Sequence, residues 1–202
     1  MQTSKYETLF NIKTTGETLW SDDVNVYHPY QATDYLALDY LFENYSMDSC
    51  DSVVDFGCGK GRLLFYINYY FGIKTTGIEF DENYYKECLD NKISYLDKNK
   101  KKSNNINFEC LLAQDYLIKD DDNKFYFFNP FSVEIFMKII NNIVESVCRY
   151  SRKIELIIYY PSVEYIYFLE YCTSFVLKRD ISLCGLIDKD EQERFLIYEF
   201  SL

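Results

Sequence analysis

Two hydrophobic periods alternate along the chain. Phe136, Ile139, Ile140, Ile143, Val144 and Val147 recur three and four residues apart, which is the apolar face of a helix packed on a sheet. Short segments rich in β-branched and aromatic residues surround it. Val53 to Phe56, Lys74 to Phe80, Asn107 to Leu112, Phe125 to Phe128 and Ile154 to Tyr160 read as strands, the last stopped at Pro161. Helix-length stretches separate them: Arg62 to Phe71, ending at Gly72 as a C-cap, and a shorter one from Val163 to Tyr171. Two further strand-like segments, Phe175 to Leu183 and Arg194 to Phe200, flank Gly185 and the charged turn Asp188-Lys189-Asp190-Glu191, so they are expected to pair antiparallel. The alternation predicts an α/β fold.

The first strand breaks into Gly57-Cys58-Gly59-Lys60-Gly61-Arg62. Glycines here lack the Cβ that would hold a ligand off the backbone, and they accept positive φ in the turn feeding the next helix. A dinucleotide fingerprint needs glycine where Arg62 stands, and a phosphate-binding P-loop needs Gly-Lys followed by Ser or Thr rather than Gly61. What remains is Asp-x-Gly-x-Gly-x-Gly from Asp55 to Gly61, which resembles the first motif of the class I S-adenosylmethionine-dependent methyltransferases. The resemblance extends over about residues 24 to 200 and implies a three-layer Rossmann-like sandwich. Its sheet would be seven-stranded and mostly parallel, with an antiparallel C-terminal hairpin.

The resemblance also implies a cofactor, S-adenosyl-L-methionine, and residues to hold it: Asp55, Gly57, Cys58, Gly59 and Gly61 in the loop, then Glu79 and Phe80 about 20 residues on. Glu79, at the carboxyl end of its strand, is expected to accept hydrogen bonds from ribose hydroxyls, where the alternative is a solvated acid feeding the Asp81-Glu82 helix start. Cys58 meets the ligand or is a small buried side chain. Gln114 and Asp115 are candidates for the adenine amino group, and equally Asp115 caps a helix beginning at Tyr116. Asn129-Pro130-Phe131 resembles a shortened form of the Asp/Asn-Pro-Pro-Tyr/Phe motif of methyltransferases that act on nitrogen. There Asn129 would orient a planar nitrogen and Phe131 would stack on the substrate, making these three the catalytic candidates. Asn129 as a helix cap is the competing reading.

Residues 1–46 are expected to form a cap and helical segment and residues 47–202 the cofactor-binding domain. Tyr35, Leu38, Leu41 and Phe42 have helical spacing, and Tyr27, Pro29, Tyr30 and Thr33 are placed to cover the cofactor. His28, the only histidine, titrates near neutrality, which makes a base role one reading and a plain loop position the other.

Composition narrows the partners. At 202 residues and 48% hydrophobic content the chain can fill one sizeable core, and its 21 Tyr and 16 Phe are assigned first to packing. Seven cysteines without a Cys-x-x-Cys pair, together with no signal-peptide pattern, read as reduced thiols in a cytoplasmic protein with no metal site. A net charge of −11 disfavours nucleic acid and favours a small-molecule or protein methyl acceptor, with no membrane association. Alternatives weighed against a methyltransferase are a non-catalytic partner subunit of the same fold and an aminopropyl transferase acting on polyamines. A nicotinamide-dependent oxidoreductase is disfavoured by Arg62.

Overall fold

The computed structural model describes residues 2–16, 30–100, 102, 104–183, 185 and 190–202. The candidates Tyr27, His28 and Pro29 lie outside the described residues. Along the chain run α1 (Gln2–Phe10), α2 (Tyr35–Asn44), β1 (Ser52–Phe56), α3 (Arg62–Phe71), β2 (Lys74–Glu79), α4 (Glu82–Lys98) and β3 (Ile106–Cys110). After a 3₁₀ turn, Ala113–Asp115, come β4 (Lys124–Phe128), α5 (Val133–Arg149), β5 (Ile154–Tyr159), α6 (Val163–Cys172), β6 (Val176–Ser182) and β7 (Arg194–Phe200).

One seven-stranded sheet has the order β3-β2-β1-β4-β5-β7-β6. β1 to β5 are parallel to one another, while β7 runs antiparallel to both β5 and β6. The alternation of side chains across a strand sorts the core into two layers. On β5, Leu156 and Ile158 pack with Phe136, Ile140 and Val147 of α5 and Leu169 of α6, whereas Ile157 and Tyr159 join the layer beneath α1 to α4. All six apolar positions of the α5 stripe face the sheet, with only Val144 partly exposed.

The N-terminal segment belongs to the second of these layers: Tyr6, Phe10 and Ile12 are buried among Tyr35, Leu38 and Tyr66. It is also stitched to α4, where the Asn91 side-chain amide donates to the carbonyls of Lys13 (3.0 Å) and Lys60 (3.2 Å) and accepts from the Lys13 amide. Gly72 caps α3 in the left-handed region, as its position after Phe71 predicts, and its amide bonds the Asn68 carbonyl.

At the other end of the strands a buried ion cluster closes the sheet. The Glu155 side chain, 2% exposed, accepts from Lys124 Nζ at 2.6 Å and from Lys178 and the Tyr45 hydroxyl. Burial alone would raise its carboxyl, but those three donors outweigh it and hold the group down at about 2.

Candidate active site

The carboxyl ends of β3, β2, β1 and β4 lie side by side, so the segments leaving them meet along one edge. The turn after β1 is fastened to β2, since the amides of Gly57 and Cys58 both donate to the Ile78 carbonyl, at 2.9 and 3.0 Å. Gly57, Gly59 and Gly61 all have positive φ, 80°, 53° and 82°. Their missing side chains admit close neighbours. A Cβ on Gly59 would stand 2.1 Å from the Tyr30 ring, and one on Gly57 would stand 2.8 Å from Pro130 Cβ. The loop, Tyr30 and the Asn129-Pro130 turn are therefore brought into contact, although they come from three distant parts of the chain.

Glu79 ends β2 beside this loop. Its two carboxylate oxygens each accept one backbone amide, Oε2 from Gly59 and Oε1 from Asp81, both at 2.9 Å. Burial pushes the carboxyl up to about 7 in spite of those donors. Asp55, within β1, is 5% exposed, and burial followed by the Glu79 charge pushes it up to about 8. Asp55 lines an open cleft shared with Thr33, Gly57, Arg62, Tyr126 and Phe128, and no donor among the described residues bonds its carboxylate. Phe80 follows Glu79 and is half-buried, and Cys58 is buried with its thiol pushed up by burial.

The remaining candidates divide. Gln114 sits in the 3₁₀ turn beyond β3, with its side-chain oxygen buried and without a hydrogen-bond partner. Asp115 closes that turn on the exposed side, and residues 116–118 are not helical, so the helix it was expected to cap does not form. Asn129 holds φ at 39°, and the cap position of α5 belongs to Ser132, so the capping alternative for Asn129 is corrected. Phe131 is corrected as well. It is 1% exposed, meets Phe127 edge-on, and its carbonyl oxygen accepts from the Tyr165 hydroxyl at 2.5 Å. The start of α5 at Val133 turns its ring into the core between sheet and helices, where it cannot stack on a substrate.

Two residues of the cleft were legible only in part. Arg62, which served to exclude a dinucleotide, is buried at the start of α3. Its Nε donates to Thr14 Oγ1 at 2.7 Å, its Nη1 to the Thr33 carbonyl at 3.0 Å, and its guanidinium lies over the Tyr35 ring. It thereby ties the N-terminal segment to the glycine loop. A lone charge at the head of an otherwise apolar helix face was the available signal. Tyr126, whose hydroxyl shares a 2.7 Å bond with Thr33, looked like any other residue of an aromatic strand.

Among the described residues no group of His, Cys, Asp and Glu could hold a metal ion, and no helix is long and apolar enough to cross a membrane.

The sheet order, the reversed β7 and the glycine turn after β1 define the class: the chain has the fold of the class I S-adenosylmethionine-dependent methyltransferases. Comparison with known proteins gives the particulars. Residues 38–118 match the model of the family described as Methionine biosynthesis protein MetW. No curated protein sequence matches the chain. Among solved structures it resembles a methyltransferase from Pyrococcus furiosus, with a TM-score of 0.61 and 14% identity over 98% of this chain and 94% of that one. It also resembles the human methyltransferase 10 domain containing protein, with a TM-score of 0.59 and 8% identity over 98% and 93% of the two chains. A third is an RNA methyltransferase from Salinibacter ruber in complex with S-adenosyl-L-homocysteine, with a TM-score of 0.52 and 14% identity over 85% and 93%.

Proposed function

We propose that the protein is an S-adenosylmethionine-dependent methyltransferase. The observation that carries this reading is the pair of buried carboxylates around the glycine turn, one of them, Asp55, without a donor of its own. Such a pair suits a ligand that brings hydroxyl and ammonium donors and a positive charge. It is hostile to a pyrophosphate, which sets this site apart from one built for a dinucleotide.

In this reading Glu79 keeps one lone pair on each oxygen for Gly59 and Asp81 and offers the others to the ribose hydroxyls. Asp55 receives the ammonium group of the methionine moiety, and the Gln114 oxygen receives the adenine amine. Tyr30 lies over Gly59 and, with its hydroxyl fixed on the Thr14 carbonyl at 2.7 Å, keeps water from that side of the loop. When bound, the cofactor would supply an electrophilic methyl group on a sulfonium for an acceptor lone pair, the carbon–sulfur electrons remaining on sulfur and any acceptor proton going to solvent. Catalysis by the chain is then alignment and desolvation, with Asn129 and Pro130 at the end of β4 as positioning residues. The complex of the Salinibacter ruber protein with S-adenosyl-L-homocysteine supports the choice of cofactor.

Calorimetric titration with S-adenosylhomocysteine tests this. Binding is expected for the wild type, and Glu79→Ala should weaken it by about 1–3 kcal/mol through lost charge-assisted hydrogen bonds. Unchanged affinity in the variant, or tighter binding of NAD, would overturn the assignment.

A further inference from the structure

We infer that Tyr30 is an autoinhibitory latch: its ring fills the hollow over Gly59 that the cofactor needs, so ring and cofactor compete for the glycine turn. This rests on the methyltransferase reading above and adds the regulation of the same site.

The hollow exists because Gly59 has no side chain, and the ring is what fills it. A Cβ there would stand 2.1 Å from Tyr30 Cε2 and 2.3 Å from Cδ2, far inside the separation at which non-bonded carbon atoms rest. Gly59 is in turn bonded through its amide to Glu79, the carboxylate that receives the ribose in this reading. The space that remains beside Asp55, bounded by Tyr30, Gly57, Arg62 and Tyr126 among others, is about 20 Å³. That holds about one water molecule, whereas pockets for drug-sized ligands measure about 300 Å³ or more. The site is assembled and shut. Until a ligand displaces it, the ring keeps water from this side of the loop.

Three parts of the chain hold the ring there. The Tyr30 hydroxyl donates to the Thr14 carbonyl at 2.7 Å, and the ring packs on Tyr84 of α4 with centroids 4.9 Å apart. Lys60, between the second and third glycines of the loop, places Nζ 5.6 Å from the Tyr30 ring and 5.7 Å from the Tyr84 ring. It is itself held by Glu87 at 3.0 Å and by the Thr15 carbonyl at 3.3 Å. Tyr30 is half-buried, and its hydroxyl exchanges the Thr14 carbonyl for water when the ring leaves. Thr33, three residues on, is pinned through its carbonyl by Arg62 at 3.0 Å and through its hydroxyl by Tyr126 at 2.7 Å, so the ring can swing out while α2 stays seated. One neutral hydrogen bond and one aromatic pair of ordinary strength favour the shut arrangement by about five- to a hundredfold. Apparent cofactor affinity falls by that same factor, because only the open fraction binds.

The test titrates S-adenosylhomocysteine calorimetrically into the full chain and into Tyr30→Ala and Tyr30→Phe. Tyr30→Ala should bind at least about fivefold more tightly than the wild type, although its unliganded melting temperature falls. A residue that only supports the site would move both quantities down together, so the opposite signs single out the latch. Tyr30→Phe keeps the ring and loses only the bond to Thr14; it should bind about twofold or more tighter than the wild type and less tightly than the alanine variant, and it carries the test where Tyr30→Ala fails to fold. Equal or weaker binding by the variants, with the wild type still binding, would overturn the latch and leave the cofactor assignment intact. Absence of S-adenosylhomocysteine binding in all three proteins would overturn the methyltransferase reading, and the latch with it.

Discussion

Replacing Gly59 by alanine puts the glycine loop under a specific strain whose size can be worked out. Gly59 holds φ at 53°, and a left-handed alanine costs roughly 1–2 kcal/mol. The added methyl would also lie 2.1 Å from Tyr30 Cε2, where carbon atoms normally rest about 3.5–4.0 Å apart. The ring must therefore retreat by about 1.4 Å or more. That movement breaks the hydrogen bond from the Tyr30 hydroxyl to the Thr14 carbonyl, about 0.5–1.5 kcal/mol, and the ring pair with Tyr84, of similar worth. Gly59→Ala should then destabilise the wild type by about 2–5 kcal/mol, but only by about 1–2 kcal/mol in a Tyr30→Ala background, where nothing remains to collide. Urea unfolding of the four proteins closes the cycle. If the two substitutions add to within about 0.5 kcal/mol, Tyr30 does not rest on the loop as described.

Three further substitutions carry expected outcomes. Because Asp55 and Glu79 hold protons to higher pH than they do in the unfolded chain, the stability tied to their neutral forms is intact below about pH 4 and drains as pH rises through about 7 to 8; Asp55→Asn should flatten the fall in urea midpoint between about pH 5 and about pH 8. Glu155 has the opposite sign: its contribution is present above about pH 4.5 and is lost as pH falls toward about 2, so Glu155→Gln should blunt acid unfolding followed by circular dichroism. At neutral pH the same substitution should cost about 1–3 kcal/mol, since the bonds to Lys124 and Lys178 lose their charge and Lys124 keeps Asp51 at 3.7 Å. Gly77→Ala should cost about 1–3 kcal/mol in chemical denaturation, because its methyl would meet Cys58 Sγ at 2.6 Å, Leu64 at 2.8 Å and Phe108 at 2.9 Å, and a loss well below that range would show that these three side chains yield easily.

The strands and α5 were legible because their burial is written in period: a stripe every three or four residues, or an apolar run bounded by turn residues. The glycine turn, Asp55 and Glu79 were legible for a different reason, since backbone conformation and strand-end chemistry restrict which residues can stand there. Other parts were hidden. α1, Gln2–Phe10, is a polar sequence of about two and a half turns whose stability comes from Tyr6 and Phe10 packing on Tyr35 and Tyr66, partners far along the chain. The burial of Phe131 depended on packing against Phe127 and the Tyr165 hydroxyl, partners the local sequence does not reveal. The order of the last two strands had a readable hint: Phe195, Leu196, Ile197 and Tyr198 are dense enough for the sheet interior, while Lys178, Arg179 and Asp180 mark β6 as the edge.

The place of β7 has a consequence for how the chain is made. β6 has no neighbour in the sheet except β7, and the free edge of β5 is likewise covered by β7. While the chain emerges from the ribosome, β1 to β5 can assemble in the order in which they appear, but β6 has nothing to pair with until residues 194–200 follow it. Through that interval the edge of β5, fully buried in the finished protein, stays open to any passing strand. Chaperone dependence of this protein should accordingly peak late in synthesis, and a chain arrested between β6 and β7 should aggregate more than the full chain.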